Sequence, residues 1–268
     1  MKKSLFTVVL FLLGASMYSK TIGIVSALDF ESSFLKSKLQ NPKIDRYFSR
    51  DYYSGKIGNN NVVIVQVGVG IVNSSVGTAL LIDKFKPDEI ILVGVAGSTD
   101  KSKPADIILG SRVTFYDFGK RTADGKFSRM PAPEPVFKLS DKDPKLNPLF
   151  YKGDSQILNK LSIAGKDADL KDLSFKGKVY TPEVVTGIIT TTQTFNEDQK
   201  LAKKMMNETG CIAFEMEGAG AAQVCYDQKV LFVMVKAISD NGNFEMFNAL
   251  KDEAAENAEK VVLNYLSK

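Results

Sequence analysis

Short apolar runs, each long enough for one buried strand, alternate along this chain with segments of helical spacing, and no linker interrupts them. That order implies a single α/β domain. Its 268 residues, 44% of them hydrophobic, suffice for one large core. Strands are expected at 21–27, 52–57, 62–67, 89–93, 113–118, 184–191, 212–214 and 231–238. Helices are expected at 29–39, 72–85, 155–168 and 244–266, with Pro87 as a stop signal after the second. Gly58-Asn59-Asn60-Asn61 supplies a hairpin turn. Gly68-Val69-Gly70 leads into the second helix, and Gly94-Val95-Ala96-Gly97-Ser98 reads as a loop closing the strand at 89–93. Neither fits a named phosphate motif. Asn196 is expected to cap a further helix. Prolines 131, 133, 135, 144 and 148 mark 120–148 as an extended loop.

The ends and the charge narrow the function classes. Lys2 and Lys3, the apolar stretch 5–13 and the small residues Gly14, Ala15, Ser16 and Ser19 have the order of a secretory signal peptide over 1–20. Export to a periplasm or cell surface is the expectation, with an uncleaved anchor as the alternative. The formal charge of +4, from 35 basic and 31 acidic residues, is too weak a bias for nucleic acid. Cys211 and Cys225 lack metal-ligand spacing and are expected to be small buried hydrophobes.

Three carboxylates follow apolar runs, where strands end and α/β proteins build their sites: Glu31, Glu217 and Asp240. The chain has no histidine, which removes Ser-His-Asp and Cys-His nucleophile systems and His-ligated zinc. Neither metal nor cofactor is expected. Proton transfer near neutral pH then falls to a carboxylic acid of raised pKa, or to Lys, Tyr or Cys. Such a set suits cleavage between ribose and a purine. One acid protonates the departing base, one carboxylate activates water, and another grips the ribose diol, as in glycoside hydrolysis.

In Ile22-Gly23-Ile24 with Ala27 and Glu31, Gly68-Val69-Gly70, Gly94-Val95-Ala96-Gly97, Thr192-Gln193-Thr194-Phe195, Phe214-Glu215-Met216-Glu217-Gly218-Ala219 and Ala237-Ile238-Ser239-Asp240, the chain resembles the 5′-methylthioadenosine/S-adenosylhomocysteine nucleosidases of the purine nucleoside phosphorylase-like superfamily. The resemblance runs from about 21 to 267 and lapses over 120–148. It implies one domain over 21–268, a three-layer α/β/α sandwich with a central mixed β-sheet, and a homodimer. Asp240 would protonate the purine N7, held by Ser239, and Glu31 would activate water. Glu217 would bind the ribose diol, with Met216 beneath the sugar. Phe195 would stack on adenine and the backbone of Asn196 would meet its edge, while Ala96 and Gly97 would line the substrate. Phe244 or Phe247 would cover the 5′ substituent.

Blander readings stand beside these. Glu215 would face away from Glu217 as a structural residue, Glu31 could be an exposed first-turn residue, and Ser239-Asp240 could be a turn or cap. The chain also departs from the family pattern. Lys236 replaces an arginine, which keeps the charge and loses the planar fork, so weaker activity is expected. Val95 stands for a serine, and Tyr116-Asp117 stands where histidine often precedes aspartate. There are two rivals. One is a phosphate-dependent phosphorylase, although none of Arg46, Arg50, Arg112, Arg121 and Arg129 adjoins a glycine loop in sequence. The other is an exported binding protein that meets an acidic polysaccharide through Lys120, Arg121, Lys126 and Arg129.

Overall fold

The computed structural model describes residues 19–131 and 149–268. In chain order the elements are β1 (Thr21–Ser26), α1 (Ser33–Ser37), β2 (Gln40–Tyr47), β3 (Arg50–Ile57), β4 (Asn60–Gln66), α2 (Ile71–Phe85), β5 (Glu89–Ser98), β6 (Ile107–Phe115), β7 (Gly119–Arg121) and β8 (Phe127–Arg129). Next come β9 (Tyr151–Lys152), α3 (Ser155–Lys166), β10 (Leu173–Phe175), β11 (Lys178–Tyr180), β12 (Val184–Thr191), α4 (Gln199–Thr209), β13 (Ala213–Glu215), α5 (Gly218–Gln228), β14 (Leu231–Asp240) and α6 (Phe244–Leu266). The expected signal peptide lies almost wholly outside the described residues, as does the latter part of the expected loop.

Among the described residues, ten strands form one mixed sheet in the order β13-β12-β6-β14-β5-β1-β4-β3-β2, with β9 on β6. β4, β1, β5 and β14 run parallel, while β14 and β6 are antiparallel. The apolar residues alternate between its faces, as a two-residue period requires. Ile22, Ile24, Ile91, Val93, Val233 and Val235 join α3 and α6 in one buried cluster. Val25, Ile90, Leu92, Phe232 and Met234 join α2 and α5 in another. Two helix layers on one buried sheet make the α/β/α sandwich that the resemblance implied.

Several expectations are corrected. β5 does not end at Val93: it runs through Gly94-Val95-Ala96-Gly97-Ser98, because β14 on one side and β13 beyond Ala96 both offer backbone partners. The expected helix at 29–39 is a 3₁₀ turn, Asp29–Glu31, followed by the short α1, with Ser32 (φ −144°) interrupting the helical path. β6 begins at Ile107 rather than 113. The 120–148 segment is not loop throughout: it opens with the β7–β8 hairpin. β2 was not anticipated. It is an edge strand exposed along almost its whole length, and its register breaks around Pro42, so no apolar alternation marks it.

Candidate active site

The carboxyl ends of β1, β5, β12 and β14 open on one cleft of about 590 Å³, the solvent at its mouth included. Because β13 pairs with both β12 and the end of β5, the chain from Phe214 to Glu217 is carried against Ala96 and Gly97. All nine site residues expected from the sequence line this cleft: Glu31, Ala96, Gly97, Phe195, Asn196, Met216, Glu217, Ser239 and Asp240.

Glu31 is 2% exposed, which rules out the exposed first-turn reading. Its carboxylate turns back on its own turn. Oε2 accepts the amides of Ala27 (2.9 Å) and Leu28 (2.8 Å), and Oε1 accepts that of Val95 (2.9 Å). Gly94 makes this approach possible, since a Cβ there would overlap Glu31 Oε1 and press on Lys236 Nζ. Burial pushes the Glu31 carboxyl above its ordinary range, Lys236 pulls it back, and Glu217 adds to the rise.

Glu217 Oε1 accepts the amide of Gly70 at 2.9 Å. Gly70 makes this bond from φ +97°, in the region that favours glycine. Beside Glu217, Glu215 does not face away as expected: both carboxylates approach Lys236 and both line the cleft. Glu215 takes the Thr191 hydroxyl (2.5 Å) and the amides of Glu217 (3.0 Å) and Gly218 (2.8 Å). Its pKa is raised to about 6, chiefly by burial.

Lys236 is completely buried. Its Nζ lies 3.7 Å from Glu215 Oε2 and 3.8 Å from Glu217 Oε2, beyond hydrogen-bond length, and has no hydrogen-bond partner among the described residues. Burial works against its charge, yet Glu31, Glu215 and Glu217 outweigh that, so the ammonium is held above the ordinary lysine pKa. One cation among three acids leaves the wall negative when all are ionised, which favours developing positive charge nearby.

Asp240 stands at the end of β14, the strand that also carries Lys236, and is 3% exposed. Ser239 donates its hydroxyl to Oδ2 (2.8 Å) and Gly242 its amide to Oδ1 (2.7 Å). Burial raises the Asp240 pKa against these two donors. Here Ser239-Asp240 does hold a turn, and the carboxyl also reaches the cleft.

The mouth is aromatic. Phe195 is 44% exposed, with its ring 5.3 Å from Phe247 and 5.7 Å from Phe244. Phe247 lines the cleft, and Phe244 stacks behind it. Asn196 is not the helix cap: Asp198 caps α4, while the Asn196 side chain bonds the backbone N–H and C=O of Asp198. Asp117, noted in the sequence only as the residue after Tyr116, accepts the Gln193 amide (2.9 Å) and anchors the segment bearing Phe195. Val69, Thr192 and Phe214, which fall within the family motifs but were given no role, also line the cleft, as does Leu28, which lies outside them.

Two further placements bear on the rivals. Arg50 does adjoin a glycine turn in space, its guanidinium donating to Val67 O (3.1 Å), Phe48 O (3.2 Å) and Asn73 Oδ1 (2.9 Å). Each of its nitrogens is thereby engaged with the protein. On the β7–β8 hairpin, Arg121 lies over Phe127, Lys126 pairs with Asp124 at 3.1 Å, and Arg129 lies over Phe150.

A buried acid of raised pKa and ionisable carboxylates around an ammonium, all lining one cleft, can give a proton to a bound substrate and take one. The sequence profile of the phosphorylase superfamily matches residues 21–267. The 5′-methylthioadenosine/S-adenosylhomocysteine nucleosidase of Colwellia psychrerythraea is 32% identical over 249 residues, covering 91% of this chain and 94% of that one. Its Staphylococcus aureus counterpart is 31% identical over 245 residues, covering 90% and 96%. The Colwellia enzyme's crystal structure, in complex with adenine, superposes with a TM-score of 0.73 at 30% identity, covering 92% of this chain and 95% of that one. The chain belongs to the 5′-methylthioadenosine/S-adenosylhomocysteine nucleosidase family of the phosphorylase superfamily.

Proposed function

We propose that this protein hydrolyses the N-glycosidic bond of 5′-methylthioadenosine and S-adenosylhomocysteine, releasing adenine and the thioribose product. The observation that carries the reading is the convergence of Asp240, Glu31 and Glu217 on one cleft, with burial raising the first two. Protonated Asp240 gives its proton to N7 as the C1′–N9 bond breaks and the base takes the electron pair. Glu31 takes a proton from the water that bonds to C1′. The ribose ring becomes oxocarbenium-like on the way, and the carboxylates beside Lys236 offset that charge. Glu217 binds the ribose diol, Met216 packs beneath the sugar, and Phe195 stacks on the adenine. The Asn196 backbone meets its edge, and Ser239, Ala96 and Gly97 complete the base site. The apolar mouth at Phe195 and Phe247 suits a thioether substituent.

Adenine release by the purified protein tests the reading, with and without phosphate. Release independent of phosphate and lost in Asp240→Asn and Glu31→Gln is expected. No adenine, or a strict need for phosphate, overturns it. The same proposal includes export and dimerisation. The residue order of 1–20 supports export, checked by fractionation and the mass of the secreted chain. The exposed Val72 and Val76 on α2, near Val69 at the cleft, support a homodimer, checked by sedimentation.

A further inference from the structure

Glu31 rides on a three-residue turn, Asp29–Glu31, and the short helix α1 follows one residue later. α1 has five residues, so its first amides have no partner within the helix. Its N-cap residue, Ser32, makes no cap bond, and its hydroxyl is engaged with Ser26 at 2.8 Å. The Leu35 amide is satisfied from a distance instead. Glu259 Oε2, on α6 and 224 positions away, accepts it at 2.7 Å. Both residues are buried, Glu259 at 1% exposure and Leu35 at 0%. A glutamate so deep in an apolar helix interface is costly unless it has a task.

We propose that Glu259 is a positioning residue for Glu31. By holding the Leu35 amide it locks α1 against α6, and so fixes the turn whose carboxylate reaches the amides of Ala27, Leu28 and Val95. The groups facing it are Lys36 from α1, Glu31 from the turn and Glu256 from its own helix. Burial raises Glu259 to about 8, with the Leu35 amide and Lys36 opposing. Below that pH it holds the amide as a neutral acid, without setting another negative charge beside Glu31. The inference rests on the reading of Glu31 as the base.

The test is steady-state adenine release by the full chain, with Glu259→Met, Glu259→Asp and Glu259→Gln measured beside Glu31→Gln. Methionine keeps the volume and removes the acceptor, aspartate is one methylene too short, and glutamine retains an acceptor oxygen. Glu259→Met and Glu259→Asp should lower kcat roughly 10- to 100-fold, the cost of a displaced catalytic group, with KM within about threefold. The acid limb of the pH profile, set by Glu31, should move in both. Glu259→Gln should stay within about threefold of wild type in kcat. A folded Glu259→Met or Glu259→Asp with wild-type kcat overturns the proposal. So does a loss confined to KM, a Glu259→Gln as impaired as Glu259→Met, or failure of both bond-breaking variants to fold. Wild-type activity in Glu31→Gln sinks the underlying reading instead.

Discussion

Lys236 Nζ stands 3.8 Å from Glu217 Oε2 inside a wholly buried wall, close enough for strong attraction and too far for a hydrogen bond. Removing this one cation leaves Glu31, Glu215 and Glu217 facing each other. Lys236→Met should therefore cost about 3–5 kcal/mol of stability, the penalty for stranding buried charge. It should also raise the pKa of Glu31, which loses its main counter-charge. Urea denaturation at neutral pH checks the first effect, and an upward shift in the acid limb of kcat/KM checks the second. Lys236→Arg carries a fork that can reach both carboxylates, so it should raise kcat/KM.

Gly94 sets how closely Glu31 approaches β5. Gly94→Ala places a methyl group where Glu31 Oε1 and Lys236 Nζ now lie, at φ +152°. Glu31 must leave the Val95 amide, and displacement of a catalytic group on this scale costs roughly 100-fold in kcat. KM should change far less if the adenine wall is untouched. Steady-state kinetics of Gly94→Ala alongside a melting curve separates the two effects.

The proposed mechanism needs Asp240 protonated and Glu31 ionised. Activity should then rise with pH as Glu31 loses its proton and fall again as Asp240 loses its own, giving a bell. The Ser239 hydroxyl favours the ionised form of Asp240. Its removal in Ser239→Ala should raise the Asp240 pKa and carry the alkaline limb to higher pH. A limb that stays in place, or moves down, counts against Asp240 as the acid.

Much of this site was legible because its acids follow apolar runs, and such placement is rare for solvated side chains. Glu31, Glu217 and Asp240 stand out that way, and the family motifs supply Phe195, Met216 and Ser239. The choice between Phe244 and Phe247 was not legible, since it depends on how α6 is rotated against the mouth. The glycines at 94 and 97 suggested a loop, because pairing on both sides of β5 is a tertiary fact. β2 carries no buried residue to betray it. Glu259 sits in a run with Glu256 and Lys260, and only its spacing with Ala255, Val262 and Leu266 places it on the apolar face.

Raised carboxyl pKa values also govern how stability varies with pH. Glu259 is raised from 4.5 to about 8 and Glu215 from 4.5 to about 6, both chiefly by burial. The native state keeps these protons after the unfolded chain has released them. Their contribution is thus fully present below about pH 4.5 and is lost as pH rises through the folded values. Asp240 and Glu31 act in the same direction. The protein should therefore be more stable at pH 5.5 than at pH 8.5, and each unit of differential titration is worth about 1.4 kcal/mol per group. Glu259→Gln cannot ionise and keeps an acceptor for Leu35, so its stability should fall less over that range, mainly above pH 6. Urea midpoints measured from pH 5 to 9 for both proteins decide the matter. Parallel curves would mean that Glu259 ionises in the folded protein as readily as in the unfolded chain.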